Sequence, residues 1–460
     1  VADSNDVDVL IIGGGLAGLC ALDAVLESGR SARLVEKTTA LGGSTVLSSG
    51  LVAFAGTDEQ RSCGIADSSA RLREDLASTG LAMSDPALLD LYCGEQLATY
   101  RWLKDVGVVF GEPHAGSGQS VPRSHPVDTW ALVTELARRA RAKGGVIDLS
   151  TSAVRLLIEG ERVEGATLRT ASGDKRVHAG AVIFASGGFS RSESMLRRFA
   201  PAMAHALRAG GEGNTGDGLL MAAKIGAGLA DLPYIKGTFG IFPFRSSAEE
   251  GTGILVVYKG AIAVNGHGER FINESLPYKV LGDACLAQPE SLAYQIFDEQ
   301  AMAQSESAVP IYDFRRRLEA GQIHQADTLE DLANGLGIDV EATLATVHAY
   351  NEAIQNGTSD AFGRTTLCGG VGTPTPIVRG PFYGFPSTTV LLATYCGITF
   401  DTETRVTDVY GAVIPGLYAA GEVTGGFHGN GYVTGTSLGK SSIFGRLAGQ
   451  RAAQFVASGQ

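Results

Sequence analysis

The run VDVLIIGGGLAGL, residues 7–19, constrains the fold more than any other stretch of this chain. Val7 to Ile12 is an apolar run of strand length, after which Leu16, Leu19, Leu22, Val25 and Leu26 recur at helical spacing. Three glycines, Gly13, Gly15 and Gly18, occupy the junction. In such a junction the first glycine permits a tight turn, the second lets backbone approach a pyrophosphate, and the third lets helix and strand touch. The N-terminus of the helix favours the negative charge. Glu36 ends the next strand-like run, ARLVE, about 20 residues further on, where a carboxylate reaches a ribose hydroxyl. The unit predicted is strand, glycine turn, helix, strand, of the dinucleotide-binding kind.

Later segments extend the same chemistry. LGGSTVLSSG (41–50) supplies Gly42, Gly43 and Ser44, backbone donors and a hydroxyl soon after the acid. Two further apolar runs end in glycine turns: AVIFASGGF (181–189), with Ser186, Gly187 and Gly188, and PGLYAAGEVTGG (415–426), with Gly421 and Glu422. Small residues at the ends of several strands describe a long cleft, more than NAD requires, and favour FAD.

At 460 residues the chain is too long for one compact core. Residues 233–390 carry more Pro, Phe and Tyr with less regular alternation, which reads as an inserted domain. The expected fold class is therefore α/β: a Rossmann-like FAD-binding domain made of 1–232 and 391–460, interrupted by a capping domain at 233–390. Within the first part, 66–143 reads as mainly helical, broken by a Gly-, Pro- and Ser-rich loop at 111–126. Residues 153–170 read as two strands joined at Gly160.

A formal net charge of -12, with no basic cluster, argues against nucleic acid or an anionic membrane as partner. The six cysteines, Cys20, Cys63, Cys93, Cys285, Cys368 and Cys396, form no CxxC pair for zinc, dithiol chemistry or haem attachment, so no metal site is expected. No apolar run approaches the roughly 20 residues of a membrane helix, and no basic, apolar leader precedes the first strand. These features place the expected location in the cytoplasm.

The chain resembles the fumarate reductase and succinate dehydrogenase flavoprotein superfamily through IIGGGLAGL, EKTTALGGST, ASGGF, NTGDGLLMA, NGHGERFINES and GLYAAGEVTGGFHG, in the family's order from about residue 7 onward. The resemblance implies noncovalent FAD, an α+β cap, and substrate held between the two against the flavin. It carries the cofactor-contact set to Gly13, Gly15, Leu16, Ala17, Gly18, Glu36, Lys37, Gly42, Gly43, Ser44, Ala153, Ser186, Gly187, Gly188, Asp217, Gly421, Glu422, Ser437 and Leu438. For Asp217 and Glu422 it leaves open cofactor contact or a loop-holding role. His428 matches the family's active-site histidine in position, either as a donor to substrate or as a group that orients its loop.

The departures from that family bear on function. Fumarate reductases place one arginine a few residues after the NE of RF.NE, as proton donor, and another four residues after the histidine of HG, as a carboxylate clamp. Here those positions hold Tyr278, in NESLPYK, and Tyr432, in HGNGY, and YIKGTFGIFPF lacks the family's further substrate histidine. Two tyrosines in these places resemble the 3-ketosteroid dehydrogenases, and the Tyr432 and Thr434 pair is nearer to their Δ4-(5α) branch than to the Δ1 branch.

Those residue types suit desaturation of a ketone, in which an α-proton is removed while hydride leaves the β-carbon for flavin N5. Tyr432, with a backbone N–H near Thr436, is expected at the ketone oxygen. Tyr278 is the candidate base, and Thr434 a proton relay. A phenol has a pKa of about 10 and needs help to act as a base; Lys279 is its neighbour in sequence. The expected partners are a small hydrophobic ketone and an external electron acceptor. The rival readings are an enone or fumarate-type reductase, with carboxylate held by Arg123, Arg245 or Arg379, and a flavoprotein without catalysis of its own.

Overall fold

The architecture is that of a computed structural model describing residues 6–244, 253–358, 360–368 and 370–459. The first sheet has the strand order Arg405–Thr407, Val413–Ala419, Gly173–Phe184, Val7–Ile12, Ala32–Val35, Val146–Asp148, with only the first of these antiparallel to its neighbour. Val9, Leu10 and Ile11 are fully buried, as a parallel strand covered on both faces requires. In register, Ile12 stands opposite both Val35 and Phe184. The glycine turn, Glu36 and the ASGG turn therefore leave the sheet along one carboxyl edge, the edge at which open α/β sheets bind ligands.

Helix Leu16–Glu27 covers one face together with the long helix Thr436–Ser458. The two meet at backbone distance, since a Cβ on Gly445 would lie 2.4 Å from the Ala17 carbonyl oxygen and one on Gly449 2.4 Å from that of Ala21. The other face carries the predicted meander, Ser152–Glu159 and Arg162–Thr170, which pairs onward with Gly173–Phe184. Helices Ser69–Thr79, Pro86–Val106 and Thr129–Ala142 account for the helical region.

The 111–126 segment departs in part from the expected loop. Ser124–Pro126 pairs antiparallel with Leu51–Ala53, and the buried His125 bonds the Thr57 hydroxyl at 2.9 Å. Its glycines and prolines marked a loop, while the pairing partner lies some seventy residues away and left no local signal.

A second sheet contains Thr238–Ile241, Phe382–Leu391, Ala293–Asp298 and Ile262–Val264, with His324–Ala326 and Leu207–Arg208 also joined to Phe382–Leu391. Leu207–Arg208 thus belongs to this sheet although it precedes residue 233. Helices Tyr278–Leu286, Leu329–Leu336 and Val340–Gln355 pack around it. Tyr432, from the C-terminal segment, is buried in the same apolar cluster as Phe239, Leu281 and Phe385. The two sheets are therefore joined through the loop that precedes the last helix. Among the described residues no helix is long and apolar enough to cross a membrane, and no cluster of metal-ligating side chains occurs.

Candidate active site

A cleft of about 1020 Å³ runs from the glycine turn to Tyr278 and Tyr432. It lies at the upper end of the range for small-molecule sites, about 300 to 1,000 Å³. At one end Gly13 adopts φ +117, and a Cβ there would lie 2.2 Å from the Ala185 oxygen. A Cβ on Gly18 would lie 2.0 Å from the Gly13 oxygen, so these two glycines serve protein against protein. Gly15 differs: its Cβ would meet nothing nearer than 3.9 Å and would project into the cleft. This is the cradle an FAD pyrophosphate requires, with backbone on one side and open space on the other. Because Gly15 has an ordinary φ of -79, Gly15→Val is compatible with the backbone and blocks only the cradle. The variant is expected to fold normally and to retain about tenfold less FAD, read from flavin absorbance per protein after gel filtration.

Glu36 lines the cleft with both oxygens occupied by backbone: Oε2 accepts from Gly14 N and Oε1 from Thr38 N, each at 2.8 Å. Each carboxylate oxygen keeps capacity for a further donor. Lys37 donates to Asp217 at 2.6 Å and to Thr215 at 2.6 Å, which ties the end of the second strand to helix Asp217–Lys224. Glu422 is half-buried on the cleft wall and accepts from Asn214 Nδ2, Thr394 N and Ser44 Oγ. Burial raises its pKa against the pull of those donors. Its contacts join three chain segments, a loop-holding arrangement. Leu16, Ala17, Gly43, Ser44, Ala153, Ser186, Gly187, Ser437 and Leu438 also line the cleft. Gly18, Gly42, Gly188 and Gly421 lie behind its wall instead; a Cβ on Gly188 would lie 2.0 Å from Thr394 Oγ1.

The other end is phenolic. Tyr278 is the first residue of its helix, and Tyr432 and Thr434 come from the glycine loop. The rings of Tyr278 and Tyr432 stand 6.3 Å apart, and a third tyrosine, Tyr395, lies 4.6 Å from Tyr432. Tyr395 lines the cleft and holds φ +57, a conformation unusual for a side chain of its size. Nothing in LLATYCG marked it, because its neighbours come from 278 and 432. Burial pushes the Tyr432 phenol up to about 12, against the opposing pull of the Ser437 and Gly435 backbone and the neighbouring phenols. Tyr278 is raised well above 10, again chiefly by burial and then by Tyr432.

Thr434 lies close enough to the Tyr278 hydroxyl to favour its ionised form, yet its Oγ1 completes no hydrogen bond of ordinary geometry. The 111–126 loop supports it from behind: Thr434 N donates to the Ser117 oxygen at 2.9 Å, and Gln119 Nε2 donates to the Thr434 oxygen at 2.8 Å. Of the aromatic stretch Tyr234 to Phe244, Thr238, Phe239 and Ile241 reach the cleft. His428 lies behind Tyr432, ring to ring at 5.4 Å, and does not line the cleft. Burial, then Lys440 and Lys279, drive its pKa well below 6.5, so the imidazole is neutral. The Thr436 N–H is spent on the Val433 oxygen, whereas Ser437 N points at the Tyr432 hydroxyl from 3.4 Å. The backbone N–H expected near Thr436 at this end is thus that of Ser437.

Of the arginines considered for a carboxylate, Arg123 is buried in ion pairs with Asp67 and Asp75. Arg379 is on the surface and away from the cleft, and Arg245 lies outside the described residues. Arg316 and Arg317, of helix Phe314–Glu319, do line the cleft on the side of the second sheet.

The chain matches the FAD binding domain family over residues 8–438. It is 32% identical to the NADH:fumarate oxidoreductase of Klebsiella pneumoniae (strain 342), over 98% of this chain and 48% of that protein, so it spans about half the length of that relative. It is 31% identical to the fumarate reductase (cytochrome) of Shewanella frigidimarina, over 99% of this chain and 78% of the other. The solved 3-ketosteroid-Δ4-(5α)-dehydrogenase of Rhodococcus jostii RHA1, in complex with 4-androstene-3,17-dione, superposes with a TM-score of 0.78 at 25% identity, covering 98% of each chain. With a cradle that accommodates FAD, a match across most of its length and these relatives, the chain belongs to the FAD-binding flavoprotein family of the fumarate reductase and succinate dehydrogenase superfamily.

Proposed function

We propose that this protein is an FAD-dependent oxidoreductase that desaturates a saturated cyclic ketone, a 3-ketosteroid or a smaller alicyclic one. The observation that supports this most is the phenolic end of the cleft, where phenols and a helix-start N–H stand among apolar side chains. Bound FAD supplies the acceptor for the β-hydride. The Tyr432 hydroxyl donates a hydrogen bond to the ketone oxygen and Ser437 N, turning from that hydroxyl, donates a second, so charge developing on that oxygen is stabilised where it forms. Tyr278 takes the α-proton onto its oxygen as that C–H bond breaks and passes its own hydroxyl proton toward the Thr434 hydroxyl, so it stays a neutral phenol, and the carbon–carbon double bond forms as the hydride departs. Thr434 and Tyr432 lie beside Tyr278 and provide the way out for the proton. An external electron acceptor would be the second substrate.

A second reading is reduction of an activated alkene acid. Arg316 and Arg317 on the cleft wall favour it, as do the names of the fumarate-reducing relatives. One experiment separates the two. Anaerobic protein is mixed in turn with a 5α-saturated 3-ketosteroid, cyclohexanone and succinate, and the flavin band is followed. Bleaching by a ketone and not by succinate is the expected outcome, and the ketone that works sets the substrate size. Bleaching by succinate alone overturns the proposal.

A further inference from the structure

Lys279 is the second residue of helix Tyr278–Leu286 and is only 1% exposed. A buried lysine ordinarily meets a carboxylate. Lys279 instead donates to the Thr238 hydroxyl at 2.7 Å and to the Lys236 oxygen at 3.3 Å. Its Nζ stands 4.7 Å from the ring centre of Tyr395 and 5.5 Å from those of Tyr278 and Tyr432. Aromatic faces attract a cation, and three of them converge here on one ammonium. The remaining charged or titratable neighbours leave it without a close counter-ion. Asp283, on the same helix, is paired with Lys236 at 2.6 Å. Glu422 acts on it from beyond the first shell of contacts, and His428, on the glycine loop, is neutral. Lys279 does not line the cleft; the tyrosines stand between it and any ligand.

We propose that Lys279 is a positioning residue, a cation seated beneath the three tyrosines that makes this end of the cleft a receptor for an anionic oxygen on a planar ring, whether an enolate or a phenolate that resembles it. The inference deepens the ketone-desaturase reading and rests on it, since loss of an α-proton places enolate charge on the oxygen held by Tyr432. It explains how phenols raised by burial serve in proton transfer: the charge that ionisation leaves on the cluster lies over an ammonium. Burial also lowers the Lys279 pKa to about 7, with Asp283 and Glu422 opposing the shift. The ammonium is thus costly in the free site, present below about pH 7 and lost above it. An arriving anion restores it, so anion binding draws in a proton.

The test uses the full chain with FAD bound and p-nitrophenol as probe, whose ionised and neutral forms have distinct absorption bands. At a pH below the probe's own pKa, difference spectra are expected to show it bound as phenolate. Lys279→Met, of similar shape and no charge, is expected to bind the phenolate about tenfold less well, whereas Lys279→Arg keeps the preference. Flavin content and the thermal midpoint verify that each variant is folded. A folded, FAD-loaded Lys279→Met with an unchanged phenolate preference overturns the proposal, as does failure of the wild type to bind the phenolate. No turnover is involved, so the result is independent of whether any ketone bleaches the flavin.

Discussion

Tyr432→Phe is expected to slow flavin reduction by the cyclic ketone about 100- to 1,000-fold, the cost typical of removing one donor to a developing oxyanion. The fold should not change. The ring remains to pack against Tyr395 at 4.6 Å and His428 at 5.4 Å, and the loop is held separately by Thr434 N and Gln119. FAD content should be preserved as well, because the cradle lies at the far end of the cleft. What is lost is the Tyr432 hydroxyl, toward which Ser437 N points from 3.4 Å, so that N–H is left as the one donor proposed for the ketone oxygen. Stopped-flow bleaching at saturating ketone measures the effect on the reductive step, and the substrate dissociation constant should move far less than the rate, as for an interaction that strengthens in the transition state. Tyr278→Phe should give a loss of similar size for a different reason, since it removes the acceptor of the α-proton. The two are distinguished by exchange: wild type and Tyr432→Phe should differ in how fast the α-hydrogens of the ketone exchange with deuterated solvent, while Tyr278→Phe should abolish enzyme-dependent exchange. A Tyr432→Phe variant that bleaches at the wild-type rate would remove this residue from the chemistry and leave it as packing.

Local patterns carried the cofactor end of the site, and convergence of distant segments decided the rest. Gly13, Gly15 and Gly18 act within a few residues of one another, so their spacing alone foretold which would touch protein and which would face open space. Glu36 was legible for the same reason, standing where the second strand ends. Tyr278, Tyr432 and Thr434 stood out through departures from a family pattern, but the third phenol did not. Tyr395 follows the end of Phe382–Leu391, and only folding brings it to Tyr432 and Lys279. Lys279 shows the limit in another way. Adjacency to Tyr278 suggested a nearby charge, and the helix start does place it there, yet its depressed pKa depends on burial that no local run of residues encodes. The N–H expected near Thr436 falls on Ser437, since the first N–H of the helix closes the Val433 turn and the next one is left to face the phenol.

Arg123→Leu is expected to cost about 3 to 5 kcal/mol of stability, the range for breaking a buried ion pair from one side. Arg123 is fully buried and forked onto Asp67, Nε to Oδ2 at 3.0 Å and Nη2 to Oδ1 at 2.9 Å, while Nη1 reaches Asp75 at 2.7 Å. Its removal leaves the Asp67 carboxylate buried without its cation. The consequence reaches the site because Arg123 is in the segment that carries Ser117 and Gln119, the two residues bonded to the Thr434 backbone. A lower thermal midpoint should therefore be accompanied by slower flavin reduction at temperatures where the variant is still folded. Neutralising the stranded acids is the control: Arg123→Leu combined with Asp67→Asn and Asp75→Asn should recover most of the lost stability, since amides in the same places carry no unpaired charge. Urea unfolding of the three proteins measures both steps. The same experiment bears on the carboxylate-binding alternative, because an arginine whose guanidinium is fully committed to two aspartates holds the 111–126 segment and cannot also clamp a substrate acid. If Arg123→Leu were as stable as the wild type and lost affinity for a dicarboxylate instead, both the structural role and the ketone reading would have to be abandoned together.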